Sequence, residues 1–528
     1  MARMLPPGVS EQDFSNAIAA FREIVGAENV LIEPDELERY RDPYPVYGPT
    51  AHQASAAVAP GSVEEVQAIV RIANENRLPL SPISTGKNLG YGGGAPRLSG
   101  AVVLDMGKRM NRILEVNEAL GYALVEPGVT YFALYEHLRA SGSAYWIDCA
   151  DLGWGSVLGN AMDRGGGYTP YGDHFGHHSG LEVVLPDGDV IRTGMGALPG
   201  SNTWQLYPYG FGPYLDGIFT QSNYGIVTKM GIALMPAPPG ARTHLITFEN
   251  EGDLAEVVDI TNPLLMRMAF HNLPIVRNIL LDGGVVSTKR EWYDGDGPLP
   301  QSAIERMKKS LNLGYWNMYF TLYGPPEVIE ASAARIWSAY EHIPGAKFYN
   351  SDSRNDPDDR GSHVLQDRQK ISTGTPSLSE LSLLKWIPNG GHLTFSPVSP
   401  AAGQDIVKQF HMARDRARES GRDYCALVGL FGRAIVHVCL MLFDTTDAED
   451  QRSALGLCKA LVREAAELGY GEFRTHNALM DAIAATYSWN DGALLRFQEK
   501  LKDAIDPNGI LSPGKSGIWP SRFRGQDL

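Results

Sequence analysis

An apolar, strand-like segment at 78–83 runs straight into Ser84-Thr85-Gly86-Lys87-Asn88-Leu89-Gly90-Tyr91-Gly92-Gly93-Gly94. Glycine lets the backbone turn sharply and lets a ligand come close, because no Cβ stands in the way. Successive amide N–H groups in such a turn point into one concavity, which suits an anion such as a pyrophosphate. The spacing is not that of the three-glycine dinucleotide fingerprint, and no Ser or Thr follows Lys87 as a P-loop requires. Taken alone, the run also reads as an ordinary surface turn. The choice between the two rests on the remainder of the chain.

At 528 residues the chain is too long for one core, so two or more domains are expected. The first 240 residues alternate strand and helix signals. A short strand at 56–59 is followed by Ser62 and Glu65 at capping-box spacing, then by Val63, Val66, Ile69, Val70 and Ala73 at helical spacing. A strand is expected at 101–106 and a helix at 130–141. Apolar segments at 182–185 and 190–193 flank Pro186-Asp187-Gly188-Asp189, a hairpin signal. Pro236-Ala237-Pro238-Pro239-Gly240 marks a boundary, after which the pattern restarts. Strands are expected at 244–248, 316–323 and 434–443, and helices at 254–260, 326–342, 447–468 and 492–505. The polar stretch 350–360 reads as an exposed loop. Strands and helices mixed with long connections predict an antiparallel sheet with helices on one side. The fold class is α+β: a mixed α/β domain followed by a second domain built on an antiparallel sheet.

The net charge of −15 disfavours nucleic acid or an anionic membrane as partner. No apolar run reaches bilayer-spanning length and the first residues lack a signal core, so a cytoplasmic location is expected. The four cysteines, at 149, 425, 439 and 458, show no CxxC spacing, and the thirteen histidines form no HExxH pattern. His174, His177 and His178 cluster, but no metal site is expected there.

Three further stretches are too rich in glycine and polar residues to be plain core. One is Asp151-Leu152-Gly153-Trp154-Gly155-Ser156-Val157-Leu158-Gly159-Asn160, continuing through Gly165-Gly166-Gly167 to Tyr171-Gly172-Asp173-His174. The others are Asn389-Gly390-Gly391-His392-Leu393-Thr394-Phe395-Ser396 and Gly471-Glu472-Phe473-Arg474-Thr475-His476. With the glycine loop and the tail Pro507-Asn508-Gly509-Ile510-Leu511-Ser512-Pro513-Gly514-Lys515, these resemble the vanillyl-alcohol oxidase and para-cresol methylhydroxylase family of flavoenzymes. The likeness runs almost end to end and is strongest toward the eugenol oxidase type.

That resemblance implies a two-domain FAD-linked oxidase fold. An FAD-binding domain would comprise 1–240 together with 460–528, and a cap would span 241–459. It implies FAD held by Ser84, Thr85, Gly86, Lys87, Asn88, Gly90, Gly155, Ser156, Gly159, Asn160, Tyr171, Gly172, Gly225, Val227 and Lys515, and bonded covalently through His392. Independently of the family, His392, Thr394 and Ser396 alternate along an extended segment and should share a face. The activity implied is oxidation of para-substituted phenols such as eugenol or vanillyl alcohol. Hydride leaves for flavin N5, a quinone methide forms, and O₂ becomes H₂O₂. Tyr91 and Arg474 match the clamp that binds the phenolate, and Asp151 matches the acid near N5. Read without the family, Arg474 is equally a surface ion-pair residue and Asp151 a turn residue. A homodimer is expected. A dehydrogenase passing electrons to a cytochrome, and a silent flavin-binding protein, are the alternatives.

The chain departs from the family at three places. Phe473 stands where the clamp's second tyrosine is usual, Gly166 where close relatives carry valine, and Leu427 where a near relative carries glutamine. These departures predict a roomier, less polar substrate pocket, suited to a bulkier phenol and lined by Gly166 and Leu427, with Thr394 and Ser396 also expected there.

Overall fold

The computed structural model describes residues 4–48 and 51–526. Near the N-terminus a four-stranded sheet has the order Val30–Leu31, Ala57–Val58, Val102–Asp105, Leu80–Ile83, its last three strands parallel. The helix Val63–Glu75 connects two of them. It starts at Ser62, whose hydroxyl accepts from Glu65 N, while the Glu65 carboxylate takes the Gly61 N–H. Val66, Ile69, Val70 and Ala73 form its buried stripe, at the spacing that faces one side of a helix. A second sheet is antiparallel: Ile113–Asn117, Tyr122–Val125, Ile226–Ala233, His178–Val184, Val190–Arg192. Its last pair is the hairpin expected around Pro186.

After residue 240 the chain builds a nine-stranded sheet whose pairings are all antiparallel. Lys347–Asn350, Ala241–Phe248, Trp316–Tyr323, Ile275–Asn278, Cys425–Leu430, Ala434–Asp444, Pro397–Pro400 and Gly471–Glu472 succeed one another, and Gly390–Phe395 also pairs with Ala434–Asp444. One large apolar core lies under this sheet, and two smaller ones serve the first two sheets.

The C-terminal stretch belongs to both halves. Tyr470, Leu479 and Ile483 pack into the large core. Ile510 and Leu511 pack into the first, where Leu80 N donates to Ile510 O (2.7 Å) and Ser512 N to Leu80 O (2.9 Å). The tail is thereby clamped to the strand that leads into the glycine loop.

Two local expectations need correction. The helix Pro326–Trp337 stops short of residue 342, giving way to turns around Tyr340, which is buried and hydrogen-bonded to Thr261. The 350–360 stretch is not wholly exposed. Arg354 is buried and donates to Leu311 O at 2.6 Å, so a polar-looking loop carries an anchoring side chain. Among the described residues, no helix is long and apolar enough to cross a membrane, and no group of three or more His, Cys, Asp or Glu could hold a metal ion. All four cysteines are buried.

Candidate active site

The strand Leu80–Ile83 delivers the glycine loop into a groove between the two N-terminal sheets. Gly86, Gly90, Gly92 and Gly93 all take positive φ, the left-handed region that only glycine enters freely. Ser84, Thr85, Gly86, Lys87, Asn88, Gly155, Ser156, Gly159, Asn160, Val227 and Lys515 all line this groove. A Cβ on Gly159 would overlap Ser84 Oγ, so the facing helix Val157–Met162 approaches the loop through a glycine. Lys515, on the clamped tail, donates to Asn477 Oδ1 at 2.8 Å. Burial pushes its ammonium down to about 8, against the pull of Asp163.

Lys87, Asn88, Gly155 and Asn160 also line a second, larger cavity of about 490 Å³, so the groove and the cavity share a wall. The nine-stranded sheet supplies the opposite wall. Leu440, Val438 and Val436 alternate along one strand, and Leu427 and Gly429 along its neighbour. His392 and Thr394 lie opposite Leu442 and Leu440 and also line the cavity. Ser396, expected on the same face, does not: the strand ends at Phe395, and the Ser396 N–H is held by Glu472 Oε1 at 2.8 Å. Gly166 and Gly172 line the cavity as well, and a Cβ on Gly166 would meet only Gly172 O, at 3.5 Å. Tyr171 and Gly225 lie apart from both spaces. Tyr171 stacks on His177 with ring centroids 4.7 Å apart, and Gly225 sits against Val183 and Phe219 where a Cβ would not fit.

At one end of the cavity Arg474 Nη2 donates to Tyr91 Oη at 3.2 Å, and its guanidinium lies 4.5 Å over the Tyr91 ring and 5.7 Å from the Phe473 ring. The guanidinium stays charged; Asp163 lies 3.8 Å away, and Arg474 Nε is buried without a partner. Phe473 is 39% exposed and also borders a separate surface groove, so its ring leans outward.

Asp151 lines the same cavity. It accepts from Tyr168 Oη and from Arg368 Nη1 (3.1 Å). Burial raises its carboxyl above the usual range, with Arg368 opposing. Behind it runs a buried chain of alternating charge. Arg368 Nη2 donates to Glu380 (2.5 Å), Glu380 faces Arg277 (3.0 Å), Arg277 Nε donates to Asp282 (2.5 Å), and Asp282 accepts from Tyr319 Oη (2.8 Å). Sequence reasoning missed Arg368, Glu380 and Arg277. They stand far from Asp151 in the chain and carry no motif; only the folded structure brings them together.

The His392 imidazole has no hydrogen-bond partner among the described residues. Its ring packs against Tyr44 (centroids 5.2 Å) and against Gly90, where a Cβ would overlap Nε2. Burial, helped by His476, lowers its pKa to about 4, so the imidazole is neutral at physiological pH. The glycine cradle, the buried cation on the tail and the adjoining cavity with an unengaged neutral imidazole fit an extended flavin dinucleotide.

The comparisons with known proteins agree with that fit. Residues 54–194 match the FAD binding domain model, and residues 398–516 match the model of the FAD linked oxidases, C-terminal domain. The 4-cresol dehydrogenase [hydroxylating] flavoprotein subunit of Pseudomonas putida is 38% identical over 98% of this chain and 98% of its own. The structure of 4-ethylphenol oxidase from Gulosibacter chungangensis, an isoeugenol complex, superposes with a TM-score of 0.97 at 46% identity, covering 99% of this chain and 100% of the other. That of p-cresol methylhydroxylase with substrate bound gives 0.94 at 38% identity, covering 98% and 99%. On this evidence the chain belongs to the vanillyl-alcohol oxidase/p-cresol methylhydroxylase family of FAD-linked oxidoreductases.

Proposed function

We propose that this protein oxidises para-substituted phenols at the benzylic carbon, with O₂ as acceptor and H₂O₂ as product, and that FAD is attached through His392. The observation that carries the reading is the Tyr91–Arg474 pair, 3.2 Å apart, in a cavity whose wall on the nine-stranded sheet includes Ile275, Val398, Leu427, Val436, Val438 and Leu440. A phenol with a pKa near 10 costs about 4 kcal/mol to ionise at pH 7. A guanidinium and a phenolic O–H aimed at its oxygen offset that cost, because charge-assisted hydrogen bonds in a desolvated site are the strong ones. The phenolate ring then pushes electron density toward the para substituent.

The groove residues from Ser84 to Asn88, with Gly155, Ser156, Gly159, Asn160, Val227 and Lys515, would hold the dinucleotide. FAD, when bound, supplies the two-electron acceptor. Asp151 would hold or accept a proton at its cavity-facing carboxylate as water adds to the oxidised substrate or a proton leaves it. Its tie to Arg368 keeps that carboxylate oriented. The cap wall of Leu427, Val436, Val438 and Leu440 excludes water and grips the ring. We also propose an FAD-binding half formed by 1–240 and 460–528 around a cap at 241–459, and a homodimer in solution.

The oxidase reading draws on the 46% identity with 4-ethylphenol oxidase. A second reading, a dehydrogenase serving a protein electron acceptor, draws on the relative named 4-cresol dehydrogenase. A panel of 4-alkylphenols, eugenol and vanillyl alcohol with peroxide as readout tests the first. Anaerobic bleaching followed by reoxidation in air within seconds supports it. Bleaching without air reoxidation favours the second.

A further inference from the structure

The triple glycine 165–167 and His174 are not explained by the phenol clamp. They meet at Asn160. Nδ1 of His174 lies 2.6 Å from Asn160 Oδ1, and Nε2 lies 2.7 Å from Asp148 Oδ1. Asp148 Oδ2 accepts from the backbone N (2.6 Å) and the hydroxyl of Thr169. Tyr131 Oη lies 3.1 Å from Nδ1. The imidazole thus bridges the Asp148 carboxylate and the Asn160 amide through its two ring nitrogens. Asp148, His174 and Tyr131 are all buried.

At positions 165 and 167 the backbone above this cluster leaves no room for a Cβ. A Cβ on Gly167 would overlap Asp148 Oδ1 and come within 2.6 Å of His174 Nε2, while one on Gly165 would overlap the Asn160 amide. The stretch thus presses onto the Asp148–His174–Asn160 line and leaves it no slack. With Oδ1 committed to His174, the amide's other end is Nδ2, which has no partner among the described residues. Asn160 stands on the wall shared by the groove and the large cavity.

We propose that Asp148 and His174 are positioning residues that fix the Asn160 carboxamide with its N–H₂ turned to the junction of the two cavities, as an oriented donor to the redox ring of the cofactor. The inference rests on the FAD reading of the groove. A fixed donor stabilises the electron-rich, reduced form more than the oxidised one, as a preorganised dipole stabilises any developing negative charge. Asn160 without its anchor rotates and loses that bias.

The test is the midpoint potential and visible spectrum of the flavin in purified holoenzyme. His174→Gln keeps a donor for Asp148 but not for Asn160; His174→Asn puts an amide N–H near the Nδ1 position. Asn160→Leu removes the donor itself. The expected result is a potential lowered by a tenfold change in the reduced-to-oxidised equilibrium, about 30 mV for two electrons, in both His174→Gln and Asn160→Leu. The double variant should be no lower than either, and His174→Asn should recover most of the loss. A purely structural role would lower thermal stability in all three histidine and asparagine variants and leave the potential and band positions of the yellow protein unchanged, which would overturn the proposal. Additive shifts in the double variant would overturn it as well. A colourless wild-type protein would instead remove the FAD reading beneath it.

Discussion

Gly90 and His392 are in direct contact, and the contact has no room for a side chain. A Cβ on Gly90 would overlap His392 Nε2, and Gly90 sits at φ +80°. The loop that opens the cofactor groove therefore fixes the position of the imidazole on the cap strand Gly390–Phe395. Gly90→Ala should cost about 1–2 kcal/mol in backbone strain alone and displace the ring. Flavin retained by acid-precipitated protein should fall in this variant and vanish in His392→Ala. Equal retention in Gly90→Ala would mean the contact does not position the ring.

Phe473→Tyr should restore a hydroxyl beside Arg474. A hydrogen bond to a charged group contributes about 1.5–3 kcal/mol, and about 1.4 kcal/mol moves an ionisation by one pH unit. Because the Phe473 ring leans outward, the lower end applies. The pH at which phenol turnover rises should drop by about one unit. An unmoved pH profile would contradict the clamp as described.

Gly166→Val should fill empty space beside the substrate, since only Gly172 O lies near. Michaelis constants should rise several-fold for phenols with methoxy groups on both ortho positions and change little for 4-methylphenol. A uniform change across both would place Gly166 outside the substrate's envelope.

Glu472 supplies a test of stability against pH. Its Oε2 is buried without a partner, and burial raises its carboxyl from 4.5 to about 8, with only the Ser396 N–H opposing. A carboxyl raised in the folded state stabilises the fold fully below its unfolded value and loses that contribution as pH climbs toward 8. The loss is up to about 5 kcal/mol at 1.36 kcal/mol per unit. Glu472→Gln keeps the acceptor for Ser396. Its melting temperature should therefore rise relative to the parent between pH 5 and 8, measured by calorimetry. Parallel curves for the two proteins would show that the Glu472 carboxyl is not raised in the folded state.

Where a local pattern dictates structure, the sequence was readable. The strand Trp316–Tyr323 and the helix Val63–Glu75 follow from alternation and from a capped amphipathic stripe, and the glycine loop from its need for positive φ. His392 and Thr394 could be put on one face from strand geometry alone. Ser396 could not be excluded that way, because the strand's end is set by Glu472 from a distant segment. Arg368, Glu380 and Arg277 were invisible for the same reason: burying charge is tolerable only against partners, and theirs arrive from other parts of the cap. The Asp148–His174–Asn160 line was half visible, as a histidine cluster and a glycine run whose connection required the fold.

The central claim is that the site acts on a phenolate held by Tyr91 and Arg474. The most direct measurement is anaerobic reduction of the bound flavin by 4-ethylphenol and by its O-methyl ether, compared in the same stopped-flow experiment. The account predicts rapid bleaching by the phenol and none above background by the ether, which has no proton to give up. Bleaching by both at similar rates would contradict it.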